Sequence, residues 1–213
     1  TRMVGAVVMA HGDDSGLQLP PRIAPVQVVI IPIFRGDAER VQIETALRQV
    51  RADLEDIRVK VDWRDERPGF KFNEWELKGV PLRIEIGPRD LAKGEATVVR
   101  RLNRAKQAVP LGELGVAIPA LLEEVQEALF RRARDFREAH TVRVDSLDAL
   151  VRFFETSIGF AVTTWCGRED DEGTVKDRTT ATTRVILSSG RPEQPCAVCG
   201  RPATMEVAWG KAY

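Results

Sequence analysis

Cysteines spaced two residues apart support zinc ligation, dithiol redox exchange, or no chemistry at all. In Cys196-Ala197-Val198-Cys199-Gly200 the glycine permits a tight turn that aims both sulfurs at one ion, as tetrahedral zinc sites require. A redox dithiol normally opens a helix in a βαβ setting, whereas this pair lies between Pro195 and Pro202. Cys166 is the third thiol of the chain and the natural third ligand. A fourth is available in the acidic loop Glu169-Asp170-Asp171-Glu172, since carboxylate oxygen also binds zinc, although four adjacent acids equally describe a solvated turn.

A second concentration of chemistry lies between Arg83 and Lys106. Arg83, Arg89, Lys93, Arg100, Arg101, Arg104 and Lys106 outnumber Glu85, Asp90 and Glu95 by four. Such an excess neutralises phosphates, and Arg, Lys and Asp side chains read the edges of unpaired bases, as in single-stranded RNA recognition; a solvated basic surface is the plainer alternative. Phe72 and Trp75, three residues apart among charges, fit either base stacking or a core face. The two histidines, His11 and His140, have no serine or cysteine arranged beside them, so hydrolytic catalysis is not expected. Glycine-rich phosphate loops are absent too, leaving no self-contained nucleotide site.

These residues need elements to position them. Val4, Val7, Val8 and His11 keep helical spacing, which predicts a short buried helix with His11 as a core histidine, ended by Gly12-Asp13-Asp14-Ser15-Gly16. The Pro20-Pro21 stretch and Pro25 favour an extended connection and a domain boundary near 25. Val26 to Phe34 is a nearly continuous apolar run, the mark of a strand covered on both faces. A helix capped by Asp37 and a strand at Ile57 to Trp63 complete a βαβ unit, and strands at Leu82 to Ile86 and Thr97 to Val99 extend it to a mixed sheet flanked by helices. Ile118, Leu121, Leu122, Val125, Leu129, Ala133 and Phe136 line one face of a long helix with Pro119 near its first turn. Beyond His140 a helix capped by Ser146 and strands at Phe160 to Trp165, Thr182 to Leu187 and Met205 to Trp209 make a second, α+β unit.

Charge is balanced, with 32 Lys and Arg against 32 Asp and Glu, so any nucleic-acid footprint must be local. Three cysteines make no disulfide framework and fit a reducing, cytoplasmic setting. No apolar run approaches the ~20 residues that span a bilayer, so no membrane association is expected. The opening lacks the pattern of a signal peptide and an initiator methionine, which points to a fragment or a processed chain.

The opening from Thr1-Arg2-Met3-Val4-Gly5 to Asp13-Asp14-Ser15-Gly16-Leu17 resembles motif 3 of class II aminoacyl-tRNA synthetases in its prolyl-tRNA synthetase form. Leu19-Pro20-Pro21-Arg22-Ile23-Ala24-Pro25 is similar to the family's crossing into its anticodon-binding domain, and Pro68-Gly69-Phe70-Lys71-Phe72-Asn73-Glu74-Trp75-Glu76-Leu77-Lys78-Gly79-Val80-Pro81, then Ile86-Gly87-Pro88-Arg89-Asp90, resemble further signatures. Thr179-Thr180-Ala181-Thr182-Thr183-Arg184 and Lys211-Ala212-Tyr213 resemble the archaeal and eukaryotic-type branch with its zinc-binding extension.

The resemblance implies an α/β fold: the end of a class II catalytic domain (1–25), a class IIa anticodon-binding domain (26–137) and a small α+β zinc-binding C-terminal domain (138–213). It implies proline–tRNA ligase activity, with ATP and Mg, proline and tRNA(Pro) as partners, no DNA, and a homodimer formed through the complete catalytic domain. Thr1 and Arg2 fall on the ATP contacts, Arg2 stabilising charge during adenylate formation. Glu76, Arg83, Arg89, Asp90 and Lys106 fall on the readers of the anticodon guanines. Where relatives place a thiolate five positions after the first cysteine this chain has Asp171, which gives either a Cys166, Asp171, Cys196, Cys199 site or a metal-poor one. Tyr213 falls where the family's terminal tyrosine approaches the active site. A tRNA-binding module without activity of its own is the alternative reading, because motifs 1 and 2 lie outside the 213 residues.

Overall fold

The computed structural model describes residues 2–212. They divide after Ala133 into two compact units. The first begins with α1 (Arg2–His11), whose helical spacing forms as expected. Its burial does not. No residue of α1 is buried, Met3, Val4 and Met9 stand exposed, and His11 is half-exposed with an unpartnered Nδ1 instead of being a satisfied core histidine. Burial and the nearby Arg132 lower the His11 pKa.

The sheet of this unit is built from β1 (Val28–Pro32), β2 (Val59–Val61), β3 (Leu82–Ile86), β4 (Glu95–Arg100) and β5 (Lys106–Pro110) in the order β2-β1-β3-β4-β5. β1 runs parallel to β2 and β3, while β4 and β5 are antiparallel, so the sheet is mixed. All five residues of β1 are buried, because it is central and covered on both faces. Val28 and Ile30 face one apolar cluster, Val29 and Ile31 the other. β5 has no counterpart in the sequence reading: its Lys-Gln-Ala-Val-Pro segment buries only Val109 and gives almost no alternation signal.

α2 (Asp37–Asp53) packs Ile43, Leu47 and Val50 on the sheet. Gly36, not Asp37, is its cap residue; Asp37 is already helical, and Glu39 accepts from the Arg35 amide at 2.7 Å. α3 (Pro68–Leu77) starts with Pro68, where a missing N–H costs nothing. It is held by a buried polar network. The Asp62 carboxylate, buried, accepts from Trp75 Nε1 at 2.7 Å and from Arg64 at 2.6 and 2.9 Å, while the buried Lys71 ammonium donates to the Asp62 carbonyl at 3.1 Å. Those donors, Arg64 first, keep the Asp62 carboxyl below the usual carboxylate range despite its burial.

α4 (Pro88–Lys93) and a 3-10 turn over Leu111–Glu113 precede α5 (Leu114–Ala139). Because α5 begins at Leu114, Pro119 lies inside it, beyond the first turn expected from the sequence. Its apolar face is buried from Leu114 to Leu129; Phe136, expected on that face, is exposed and stacks on His140 at 4.0 Å.

The second unit places β6 (Thr141–Arg143), β7 (Phe160–Trp165), β9 (Met205–Lys211) and β8 (Ala181–Ser189) in one sheet in that order. α6 (Leu147–Thr156) is capped by Ser146, which accepts from the Ala149 amide, and buries Leu150, Val151 and Phe154. The core centres on Trp209, whose indole donates to Thr163 Oγ1 at 2.9 Å and meets Trp165 edge-on. The acidic stretch expected as a loop is instead the first turn of α7 (Glu169–Thr179), because four carboxylates complement the positive end of a helix dipole.

Candidate nucleic-acid pocket and metal centre

α3, β3 and the β4–β5 hairpin enclose a pocket of about 140 Å³ lined by Trp75, Glu76, Arg83, Arg101, Arg104 and Lys106 among others. Three of the five residues expected to read bases, Glu76, Arg83 and Lys106, therefore come together. Arg89 and Asp90 lie on α4 and do not line it. Arg89 is exposed, and Asp90 accepts from the Gly87 amide at 2.8 Å, capping its own helix. Arg2 is an exposed residue at the start of α1; Thr1 and Tyr213 lie outside the described residues.

The pocket cations are already engaged. Arg83 donates twice to Glu85, at 3.0 and 2.8 Å, with its guanidinium 4.3 Å over the Phe72 ring. Lys106 stands 3.7 Å from the same Glu85. Arg104 donates to Glu76 at 2.7 Å, and buried Arg101 pairs with Asp13 through both terminal guanidinium nitrogens at 2.5 and 3.0 Å. Of the seven basic residues counted in the sequence, Arg89 alone has no acidic partner among the described residues. The footprint is therefore a set of paired arginines and lysines around a cleft rather than a bare basic face. Trp75, committed to Asp62 and packed with Phe72 against Val29, Ile31 and Val80, takes the core reading.

Asp13 and Arg101 went unrecognised as a pair in the sequence. They are 88 residues apart, and the turn signal at Gly12 to Gly16 indicated only a loop. Arg101, chiefly, holds the Asp13 carboxyl far below the usual carboxylate range. The same loop docks by backbone: the Leu17 amide donates to the Leu77 carbonyl at 3.0 Å and the Leu19 amide to Gly79 at 3.1 Å. Gly16 at φ 123° and Gly79 at φ 75° make this possible, since a Cβ on either would come within about 2.5 Å of the opposing chain.

In the second unit Cys166, Asp171, Cys196 and Cys199 place their ligand atoms within 4.8 Å of one another, the one such cluster found among the described residues. Three segments supply them. Cys166 follows β7, with Gly167 at φ 83° turning the chain; Asp171 sits in the first turn of α7; and Cys196 and Cys199 flank a turn in which the Gly200 amide donates to the Cys196 carbonyl at 2.9 Å. That turn is fixed to β7 by Ala197 N to Thr164 O at 3.1 Å and Thr164 Oγ1 to Pro195 O at 2.6 Å. Asp171 Oδ2 accepts from Cys166 at 3.0 Å and from Cys196 at 3.6 Å, and the Cys166 and Cys199 sulfurs are 3.7 Å apart. Zinc–sulfur bonds of about 2.3 Å at tetrahedral angles put sulfurs ~3.8 Å apart, so the sulfur spacing suits one ion. Burial and the Asp171 carboxylate push the Cys166 thiol up to about 12, and Asp171, then burial, raises Cys199. Burial resists ionisation of Asp171, but the three thiol donors outweigh it and its pKa is lowered.

Residues 27–121 match the family described as "Anticodon binding domain", and residues 147–213 match "Prolyl-tRNA synthetase, C-terminal". Proteins named proline–tRNA ligase from Roseiflexus sp. (strain RS-1) and Chloroflexus aurantiacus are each 46% identical over the whole chain, which spans 45% of their length. One from Ruminiclostridium cellulolyticum is 43% identical over the whole chain and 44% of its own length. The α/β unit with its basic pocket is thus of the anticodon-binding class. The chain belongs to the prolyl-tRNA synthetase family, as a C-terminal portion of it. It spans about half the length of the curated relatives it matches.

Proposed function

We propose that the chain serves a proline–tRNA ligase by recognising the anticodon of tRNA(Pro), while the complete protein uses ATP with Mg to form prolyl-adenylate and transfers proline to the tRNA. The observation that carries this reading is the convergence of Glu76, Arg83 and Lys106 in one cleft inside the anticodon-binding match. A carboxylate accepts from guanine N1–H and N2–H, and Arg or Lys donates to O6 and N7. Arg89 and Asp90 belong to the same reading at its edge. Residues 1–25 finish the catalytic domain, with Thr1 and Arg2 toward ATP; 26–137 form the anticodon domain and 138–213 the terminal domain, with Tyr213 toward the active site. The complete protein works in the cytoplasm as a homodimer; no helix of the described residues is long and apolar enough to cross a membrane. To test the anticodon role, Glu76→Ala and Arg83→Ala in the complete protein are compared on tRNA(Pro) with guanine or another base at the anticodon positions. Both variants are expected to lose at least ten-fold in discrimination; discrimination equal to wild type refutes the assignment.

Zinc held by Cys166, Asp171, Cys196 and Cys199 completes the proposal. When bound, the ion supplies a structural cross-link and no reaction step. The residues themselves tie the end of β7, the start of α7 and the 196–200 turn together.

A further inference from the structure

Glu76 does not stand in its pocket alone. Its Oε1 takes Arg104 Nε at 2.7 Å and Nη2 at 2.5 Å, which leaves Oε2 without a bonding partner among the described residues. Arg104 in turn donates to Ser15 Oγ at 2.6 Å, so one guanidinium bridges the pocket carboxylate to the loop that follows α1. That loop is held by the Asp13–Arg101 pair and by the close approach of Gly16 to Leu77 and of Gly79 to Leu17. The backbone of Arg104 adopts φ 58°, a left-handed conformation that is unfavourable for a non-glycine residue and persists only where the surroundings over-determine it. Here the surroundings are the hairpin bonds Arg104 N to Arg100 O at 2.9 Å and Arg100 N to Ala105 O at 3.0 Å.

Resting on the anticodon reading above, we propose that Arg104 is a positioning residue for guanine selection: it fixes the Glu76 carboxylate, with Ser15 as its rear support, so that Oε2 faces the incoming base. A carboxylate clamped at one oxygen loses little side-chain freedom when guanine arrives, whereas a free glutamate must be ordered then, at a cost in rotamer entropy. Discrimination follows from the same clamp. Inosine lacks the 2-amino donor of guanine, and only a carboxylate held in register with that edge feels the loss.

The test uses the complete protein and an anticodon stem-loop of tRNA(Pro) carrying guanine, then inosine, at each anticodon guanine position, with dissociation constants read by fluorescence anisotropy. In Arg104→Gln the guanine-to-inosine affinity ratio at one position is expected to fall about ten-fold toward unity, with Arg104→Lys restoring part of it and Ser15→Ala lowering it two- to three-fold. Melting temperatures identify variants that merely unfold, and Arg104→Gly, which keeps the left-handed turn, gives a second variant without the guanidinium. An unchanged ratio in Arg104→Gln and Arg104→Gly beside a collapsed ratio in Glu76→Ala overturns the inference alone. An unchanged ratio in Glu76→Ala overturns the underlying reading and the inference with it. Affinity that falls equally for guanine and inosine in the Arg104 variants makes Arg104 a general electrostatic contact and also overturns the positioning role.

Discussion

The pocket of the first unit and the cysteine cluster of the second are both polar groups gathered from three segments, yet they are held in opposite ways. In the pocket the charged groups hold each other: Arg83 on Glu85, Arg104 on Glu76, Arg101 on Asp13. In the cluster the backbone holds the ligands, through the Cys196–Gly200 turn docked on β7. The pocket can therefore trade a partner for a ligand group with little movement of the main chain. The cluster can accept an ion only where its turn has already put it. Recognition is served by the first arrangement, and fixed geometry by the second.

Five substitutions break or sharpen this contrast. The largest effect is expected at the cluster. Cys196→Ser should weaken zinc affinity by more than about 100-fold, since even outer-shell losses cost 10–100-fold, and Asp171→Ala should do the same if its oxygen is the fourth ligand. Metal analysis of the purified chain and chelator competition measure both; a full zinc complement in Asp171→Ala would remove that residue from the set. Next, Asp62→Ala should destabilise the first unit by about 3–5 kcal/mol, because it removes the carboxylate that lies 4.0 Å from the buried Lys71 ammonium and accepts from the Trp75 indole, leaving Lys71 only the carbonyl of residue 62. Chemical denaturation reads this, and acid sharpens it. The folded Asp62 carboxyl lies below its unfolded value, so its contribution is complete above about pH 4 and is lost progressively as pH falls further. Gly79→Ala should cost about 2 kcal/mol through its positive φ and the approach of Leu17, and should loosen the end of α3 without altering the cysteine cluster. Smallest, Ser146→Ala should remove about 1 kcal/mol from the second unit by uncapping α6, leaving pocket affinities unchanged.

Sequence legibility followed the strength of local signals. The apolar run of β1, the capped α6 and the CxxC turn each announce themselves within a few residues, and all form. β5 escaped because only Val109 of its five residues is buried, and α7 because four acids in a row read as a solvated turn until the helix dipole is considered. The exposure of Met3, Val4 and Met9 was hidden for another reason: helical spacing reports a face and not what covers it. Within the candidate sites, residue types were legible while pairing was not. The excess of cations in 83–106 counted charges correctly, but Asp13, the partner of Arg101, lies 88 residues away.

The approach of Gly16 to Leu77 and of Gly79 to Leu17 has a spectroscopic consequence. The amides of Leu17 and Leu19 are bonded to Leu77 and Gly79, not to neighbours of their own segment. Their protons can exchange with solvent only when the turn ending α3 parts from the loop, so those two amides act as a gauge of whether the loop is docked on the turn that follows Glu76. Slow exchange at both, lost together in Gly79→Ala, would time the undocking of that loop directly.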